Sequence, residues 1–125
     1  MTRQATFGSL VRLYRRRAGL TQQRLADALA LDFTYISKIE RDKAAPPARE
    51  KIGLAAVVLK LTPGERDELF LRAEKLPAEV EDWVIRRPEA LKLYRSIKRY
   101  PAREQSRILM ELINEIEKKS GGEAT

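Results

Sequence analysis

Apolar residues recur every three or four positions along almost the whole chain, which is the spacing that places them on one face of a helix. No segment alternates apolar and polar residues with β-branched enrichment, so no strand is predicted. Glycines, prolines and N-cap residues mark the helix ends. The pattern predicts an all-α fold with helices at about 7–18, 22–29, 33–41, 48–60, 63–75, 78–86, 88–99 and 102–119.

The sequence LPAEVEDW, at residues 76–83, separates two parts of the chain. Before it, Thr62, Pro63 and Glu65 provide an N-cap, a proline at the first helical position and a capping-box glutamate at the third. The residues after the last helix are small and polar, as in a frayed terminus. We predict an N-terminal domain at 1–76, a helical C-terminal region at 77–120 and a tail at 121–125.

The whole chain has 125 residues and a formal net charge of +7, and this positive charge is concentrated in its first half. Residues 1–61 contain 12 Lys/Arg and 5 Asp/Glu, whereas residues 62–125 contain 13 of each. A solvated basic face is one interpretation. We favour the other, in which the first half meets a polyanion and the second half meets protein.

The sequence contains neither cysteine nor histidine. Their absence excludes disulfides, the usual zinc sites and Ser-His or Cys-His catalytic pairs. Acidic pairs such as Asp67-Glu68 lie among Lys and Arg, as on a solvated face. We therefore expect no enzyme, no metal and no cofactor. The longest apolar run, residues 54–59, is too short to span a bilayer, and no secretory signal is visible, so a cytoplasmic location is expected.

The second and third predicted helices are joined by a short connection, which favours a steep crossing. Ala26, Leu29, Ile36 and Ile39 can bury that crossing. The outer face of the third helix is then left with Phe33, Thr34, Ser37, Lys38 and Arg41. In a helix-turn-helix protein, the second helix of the motif enters the major groove and the first lies across the DNA backbone.

Residues 21–40 resemble the helix-turn-helix of the Xre family, the type found in lambda-like repressors and Cro. The family pattern is an Arg, then GLTQ, LA, a turn and ISxIE, followed by a loop containing proline. This sequence has Arg15, GLTQ at 19–22, LA at 25–26, ISKIE at 36–40 and Pro46, in register over about residues 10–59. The resemblance implies a lambda-repressor-like domain of about five helices. It also implies a regulator that binds double-stranded DNA, in a bacterial, nucleoid-associated setting.

The resemblance implies a role for individual residues. Phe33, Thr34 and Lys38 match base-reading positions, with Lys38 facing guanine and Phe33 a thymine methyl. The alternatives are a solvated Lys38 and a Phe33 packed against its neighbours. Thr21 and Gln22 begin the second helix, where phosphate contacts are expected. Gln22 should bond a phosphate through its side chain and the helix N-terminus, whereas Thr21 also suits a plain N-cap. Further contacts to the DNA phosphate backbone are expected from Tyr35, Ser37, Arg41 and Lys43.

Arg15 and Glu40 match positions that pair with each other inside the family's domain, so a structural ion pair is expected there. The sequence departs from the family at two turns, where Ala30 and Asp42 replace the usual glycines. Because alanine adopts positive φ less readily than glycine, the first turn is open to reshaping, whereas aspartate tolerates that conformation better. Arg49 follows a loop of variable length and is a weaker candidate for DNA contact.

A wide apolar stripe marks the last predicted helix. Repressors of this type often bind as two-fold dimers that read two half-sites, so we expect a homodimer. Trp83 and Tyr94 are expected in the core, and a plain helical extension of that core is the alternative interpretation of the second half. The predicted dimerisation residues are Ile108, Leu109, Leu112, Ile113 and Ile116.

The leading hypothesis is therefore a repressor that binds an inverted-repeat operator as a homodimer. The second half is also loosely similar to C-terminal domains of Xre regulators from stress responses and mobile elements, some of which are cut by a metallopeptidase. One alternative is such a repressor, inactivated by a metallopeptidase. Another is an antitoxin-like regulator whose C-terminal half binds a partner protein. A helical adaptor, whose helix-turn-helix is only structural, would be indifferent to Lys38→Ala.

Overall fold

The computed structural model describes residues 5–121, and within that range the secondary structure is helical, without strands. The predicted all-α fold is confirmed. No helix in this range is both long enough and apolar enough to cross a bilayer. The helices are α1 (Phe7–Arg17), α2 (Gln22–Leu29), α3 (Phe33–Glu40), α4 (Arg49–Val58), α5 (Pro63–Arg72), α6 (Ala78–Ile85), α7 (Pro88–Lys98) and α8 (Ala102–Ser120).

The chain forms two compact units, an N-terminal unit (Met1–Glu81) and a C-terminal unit (Asp82–Thr125). The N-terminal unit contains α1 to α5, and the C-terminal unit contains α7 and α8. The predicted tail at 121–125 lies outside the described residues, apart from Gly121.

The core of the N-terminal unit is built from the apolar stripes of α1 to α5. Ala26, Leu29, Ile36 and Ile39 are buried, as the crossing of the second and third helices predicted. Removing each large apolar side chain from water stabilises the fold by about 1.5–3 kcal/mol. The side chains that are most fully enclosed are Leu25, Ile36, Ile52, Leu59, Leu69 and Phe70.

Helices α1 and α3 approach each other closely at Gly8. A Cβ at this position would lie 2.2 Å from the carbonyl oxygen of Ile39 and 2.6 Å from Oδ1 of Asp42. The Gly8 N–H donates to the Asp42 carboxylate at 3.2 Å, and the Thr6 hydroxyl donates to the same group at 2.8 Å. Asp42 thus satisfies donors at the start of α1 from the loop that follows α3.

Each of α1 to α5 is followed within two residues by a residue with positive φ. The next N–H along the chain bonds back to a carbonyl five residues earlier, as in the Schellman motif. Only the first of these five residues is a glycine. The predicted fourth and fifth helices are too long at their C-termini, because Lys60 and Glu74 take this left-handed conformation and end the helical hydrogen bonding before them. The five positive-φ residues are Gly19, Ala30, Asp42, Lys60 and Glu74.

In the C-terminal unit, α7 packs against α8. Among the described residues of this unit, Ile97 is the only buried hydrophobic residue. The prediction that Trp83 and Tyr94 lie in the core is wrong, since they are 52% and 58% exposed. Two helices alone do not provide enough neighbouring surface to enclose large aromatic side chains.

Candidate nucleic-acid interface

The two helices α2 and α3 are each capped at the N-terminus and are joined by a tight turn. The Thr21 hydroxyl accepts from the Arg24 N–H at 3.1 Å, and the Asp32 carboxylate accepts from the Thr34 N–H at 3.1 Å. Between them, Ala30 adopts φ 54° and ψ 44°, and the Leu31 N–H donates to the Ala26 carbonyl at 2.9 Å. The turn thus keeps a left-handed residue even though alanine replaces glycine.

Helix α3 divides cleanly into an inner and an outer face. Ile36 and Ile39 are buried against α1 and α2. The three predicted base-reading residues, Phe33, Thr34 and Lys38, are exposed on the same short helix, with Phe33 at 43% exposure. An apolar ring, a hydroxyl and an ammonium group are therefore accessible along α3.

A buried ion pair ties α1 to the end of α3. The Arg15 guanidinium donates from Nε to Glu40 Oε2 at 2.6 Å and from Nη2 to Oε1 at 3.0 Å, and its Nη1 donates to the Leu20 carbonyl at 2.8 Å. Both residues are less than a tenth exposed. Arg15 and Glu40, which the resemblance expected to pair, are brought together here. Removing one partner of such a pair typically costs about 3–5 kcal/mol, because the other charge stays buried.

Gln22 joins this ion pair from the first turn of α2. Its Nε2 donates to Glu40 Oε1 at 2.9 Å. The sequence did not anticipate this bond, because Gln22 was expected to direct its side chain toward DNA. One N–H of the Gln22 amide is used inside the protein, so its second N–H and the backbone N–H groups that precede the capped Arg24 N–H are the donors that remain for an anion at this helix end.

Tyr35 fastens the loop that follows α3. Its hydroxyl donates to the Ala45 carbonyl at 2.8 Å, and burial raises the pKa of this phenol. Tyr35 was expected to contact the DNA backbone, but its single hydroxyl hydrogen is used within the protein. This bond could not be expected from the sequence, since it depends on how the loop folds back.

The remaining residues with a predicted phosphate role lie at the C-terminal end of α3 or just after it. Arg41 and Lys43 are exposed, and Ser37 is half-buried. The Arg41 Nε donates to the Ser37 carbonyl at 3.3 Å, which holds the guanidinium along the helix.

The pairing of charges differs between the two sides of the N-terminal unit. On α4 and α5, the arginines pair with glutamates: Arg49 with Glu81, Arg66 with Glu79 and Arg72 with Glu68. On α1 to α3 and the loop that follows, six exposed cations of the described chain have no ion pair. They are Arg12, Arg16, Arg24, Lys38, Arg41 and Lys43. Within the N-terminal unit, the exposed cations that no carboxylate neutralises therefore lie largely on α1 to α3 and the loop that follows α3.

The family model that matches the chain is described as a helix-turn-helix domain and covers residues 6–69, slightly more than half of the sequence. The chain belongs to the helix-turn-helix domain family. The match confirms the identification made from the sequence and is consistent with an Xre-like regulator. Searches of curated proteins and of solved structures found no significant match. A helix-turn-helix domain indicates a DNA-binding regulator.

Arg49, the weaker candidate for DNA contact, is held by the segment that follows the matched part of the helix-turn-helix domain. Its Nη1 lies 2.6 Å from Glu81 Oε2. The hydrogen bond to Glu81 raises the pKa of Arg49. The 32 residues that separate the partners explain why the sequence did not reveal this pair.

Outside the helix-turn-helix domain, the predicted dimerisation residues line one side of α8. Ile108 is half-buried, and the others are exposed. An open groove of about 250 Å³ between α7 and α8 continues this surface, with Leu93, Tyr94 and Leu109 among its lining residues. The C-terminal unit therefore presents a broad apolar surface. The exposed members of the predicted set are Leu109, Leu112, Ile113 and Ile116.

Proposed function

We propose that this chain is a sequence-specific DNA-binding transcriptional regulator of the Xre type, acting as a repressor on an inverted-repeat operator as a homodimer. The observation that carries the proposal is the outer face of α3. It exposes Phe33, Thr34 and Lys38 in a helix-turn-helix domain whose unpaired cations lie mainly on α1 to α3 and the next loop.

In this proposal α3 lies in the major groove and reads bases with its N-terminal residues. Lys38 donates to guanine O6 and N7, and Phe33 packs against a thymine methyl. Thr34 hydrogen-bonds a base edge through its hydroxyl. A good contact of this kind discriminates against the wrong base by about 1–3 kcal/mol.

Phosphate contacts then orient α3 in the groove. The N-terminus of α2, at Thr21 and Gln22, binds a phosphate through backbone N–H groups and the helix dipole. Arg41 and Lys43 neutralise phosphates beside the C-terminal end of α3. The other two predicted phosphate residues, Tyr35 and Ser37, act mainly by holding the loop and Arg41 in place, as their hydrogen bonds favour.

Selection of tight binders from random duplex DNA tests the proposal. The purified protein should enrich an inverted repeat, and its affinity for the selected duplex should fall steeply with salt because bound phosphates release counterions. Lys38→Ala should lower the ratio of affinities for the selected and a shuffled duplex by about 5- to 150-fold, which corresponds to 1–3 kcal/mol.

The matched control is Lys92→Ala, which removes one exposed lysine from α7. It should leave the ratio unchanged. If wild-type protein enriches no sequence and its binding is independent of salt, the protein does not read DNA. If Lys38→Ala keeps the full ratio, α3 is not the reading helix.

A second candidate is an antitoxin-like regulator whose C-terminal unit binds a different protein. The apolar surface on α7 and α8 favours a protein partner of some kind. The two candidates differ in the behaviour of the purified chain. A self-associating chain supports the homodimer, whereas a chain that stays monomeric at micromolar concentration and enriches only a half-site supports the second candidate.

A further inference from the structure

A basic strip on α1 is not among the residues assigned above to DNA binding. Arg12 and Arg16 lie one helical turn apart and are exposed, and neither has an ion pair within residues 5–121. Together with Ser9 and Leu13 they line an open groove of about 400 Å³, which also reaches Glu40. We call Ser9, Arg12, Leu13 and Arg16 the α1 strip.

The charge of this groove is positive even though a carboxylate lies in it. Glu40 is already bonded in bidentate fashion by Arg15 and receives a further hydrogen bond from Gln22. Its charge is therefore compensated inside the protein, and it has little capacity left to neutralise Arg12 or Arg16. Neighbouring Arg17 differs from them, because Glu65 binds it through two hydrogen bonds at 2.7 and 2.9 Å.

The same carboxylate connects the α1 strip to the N-terminus of α2. Glu40 lines the groove and bonds Gln22 in the first turn of α2, so the strip lies beside the helix end proposed to hold a phosphate. Residues four apart on a helix have Cβ atoms about 5–6 Å from each other, so two guanidinium groups point to the same side. Arg12 and Arg16 can thus reach a DNA strand that passes the start of α2.

We propose that Arg12 and Arg16 bind backbone phosphates next to the one held by the start of α2, which extends the DNA interface onto α1. This inference rests on the proposed function. DNA is favoured over an acidic protein because Glu40 connects this groove to Gln22, at the helix end that is proposed to hold a phosphate. Since phosphates carry no sequence information, the contacts add affinity and salt dependence but not selectivity.

The test measures the affinity of full-length protein for the selected duplex and for a shuffled duplex of the same length, at several salt concentrations. Arg12→Ala and Arg16→Ala should each reduce the slope of log K against log salt by about 0.9. The affinities for both duplexes should fall by the same factor, so that the ratio of the two affinities is unchanged. Arg12→Lys and Arg16→Lys, which keep the positive charge, should have the same slope as the wild-type protein.

Arg95→Ala, which removes an exposed arginine from α7, is the matched control and should keep the wild-type slope. Thermal melting of each variant shows that it is folded. An unchanged slope in both alanine variants, with selectivity still lost in Lys38→Ala, would overturn the α1 contacts while the proposed function stands. A change in the ratio of the affinities for the two duplexes would also overturn the α1 contacts. Absence of salt-dependent binding by the wild-type protein would instead remove the proposed function itself.

Discussion

Ala30 adopts a conformation that its side chain disfavours, at the centre of the helix-turn-helix. An L-residue with left-handed φ and ψ costs about 1–2 kcal/mol, a penalty that glycine avoids. Glycine would remove this strain from the folded state, but it also increases the conformational entropy of the unfolded chain, which offsets part of the gain in stability. We expect Ala30→Gly to raise the free energy of unfolding by about 0.5–1 kcal/mol, measured by chemical denaturation.

Gly19 provides the opposite substitution at the equivalent turn after α1. Its φ is 73°, and a Cβ there would meet no atom within 4 Å. Gly19→Ala therefore introduces backbone strain without a steric clash, and should lower stability by about 0.5–1 kcal/mol once the reduced freedom of the unfolded chain is included. If both substitutions leave the free energy of unfolding unchanged, the left-handed residues at these turns are not strained.

Some side-chain bonds could be predicted from the sequence, and others could not. The pairing of Arg15 with Glu40 could be expected, because both positions belong to a pattern with fixed spacing. The inward bonds of Gln22 and Tyr35 could not, because a polar side chain at a helix start or near a loop can bond either DNA or protein. The choice depends on the position of atoms that are 10 or 18 residues away.

At the level of elements, α1 and α5 are joined by an exposed ion pair that should make their packing depend on pH. The hydrogen bonds from Arg17, and next from the Thr62 backbone, lower the pKa of Glu65 from 4.5 to about 2. A carboxyl whose pKa is depressed by folding stabilises the protein above its unfolded value, and that contribution is lost as the pH falls from 4.5 toward 2. Glu65→Gln should therefore be less stable than wild type at pH 7, with a difference that shrinks over this window.

Glutamine suits this comparison because it can still complete the capping box of α5 with Thr62. The control is Glu65→Gln in an Arg17→Gln background. There the effect of Glu65→Gln on stability should depend less on pH, because the hydrogen bond from Arg17, which is the largest cause of the lowered Glu65 pKa, is absent. The measurement is chemical denaturation at pH 7, 4 and 2. A difference between wild type and Glu65→Gln that stays constant from pH 7 to pH 2 would rule out this linkage.

The existence of the helices could be predicted, whereas their ends and some of their surroundings could not. The apolar period of 3.6 residues and the capping signals identify all the helices seen in the described chain. The ends of α4 and α5 depend on which residue takes positive φ, and Lys60 and Glu74 carry no such signal. Trp83 and Tyr94 were expected in the core but are exposed, because burial depends on how many neighbouring elements are available.

For the whole molecule, the apolar surface of α8 gives the C-terminal unit a reason to self-associate. In a two-fold interface each substitution acts twice, once from each protomer. Leu112→Glu or Ile116→Glu places two charges where apolar surface should be buried, at about 1.5–3 kcal/mol of lost burial for each side chain. We expect either variant to weaken the dimer at least 100-fold in sedimentation equilibrium, and to weaken binding to an inverted repeat more than to a single half-site.

Asn114→Glu is the matched control for this prediction, because Asn114 is exposed on the side of α8 away from the apolar stripe. It introduces the same charge into the same helix and should leave the dimer intact. Circular dichroism checks that α8 remains helical in all three variants. If the wild-type chain is monomeric at tens of micromolar, or if Asn114→Glu disrupts the dimer as much as Leu112→Glu does, the stripe is not a dimer interface. The apolar surface would then have to be covered by another protein, and the two-fold reading of an inverted repeat would lose its structural basis.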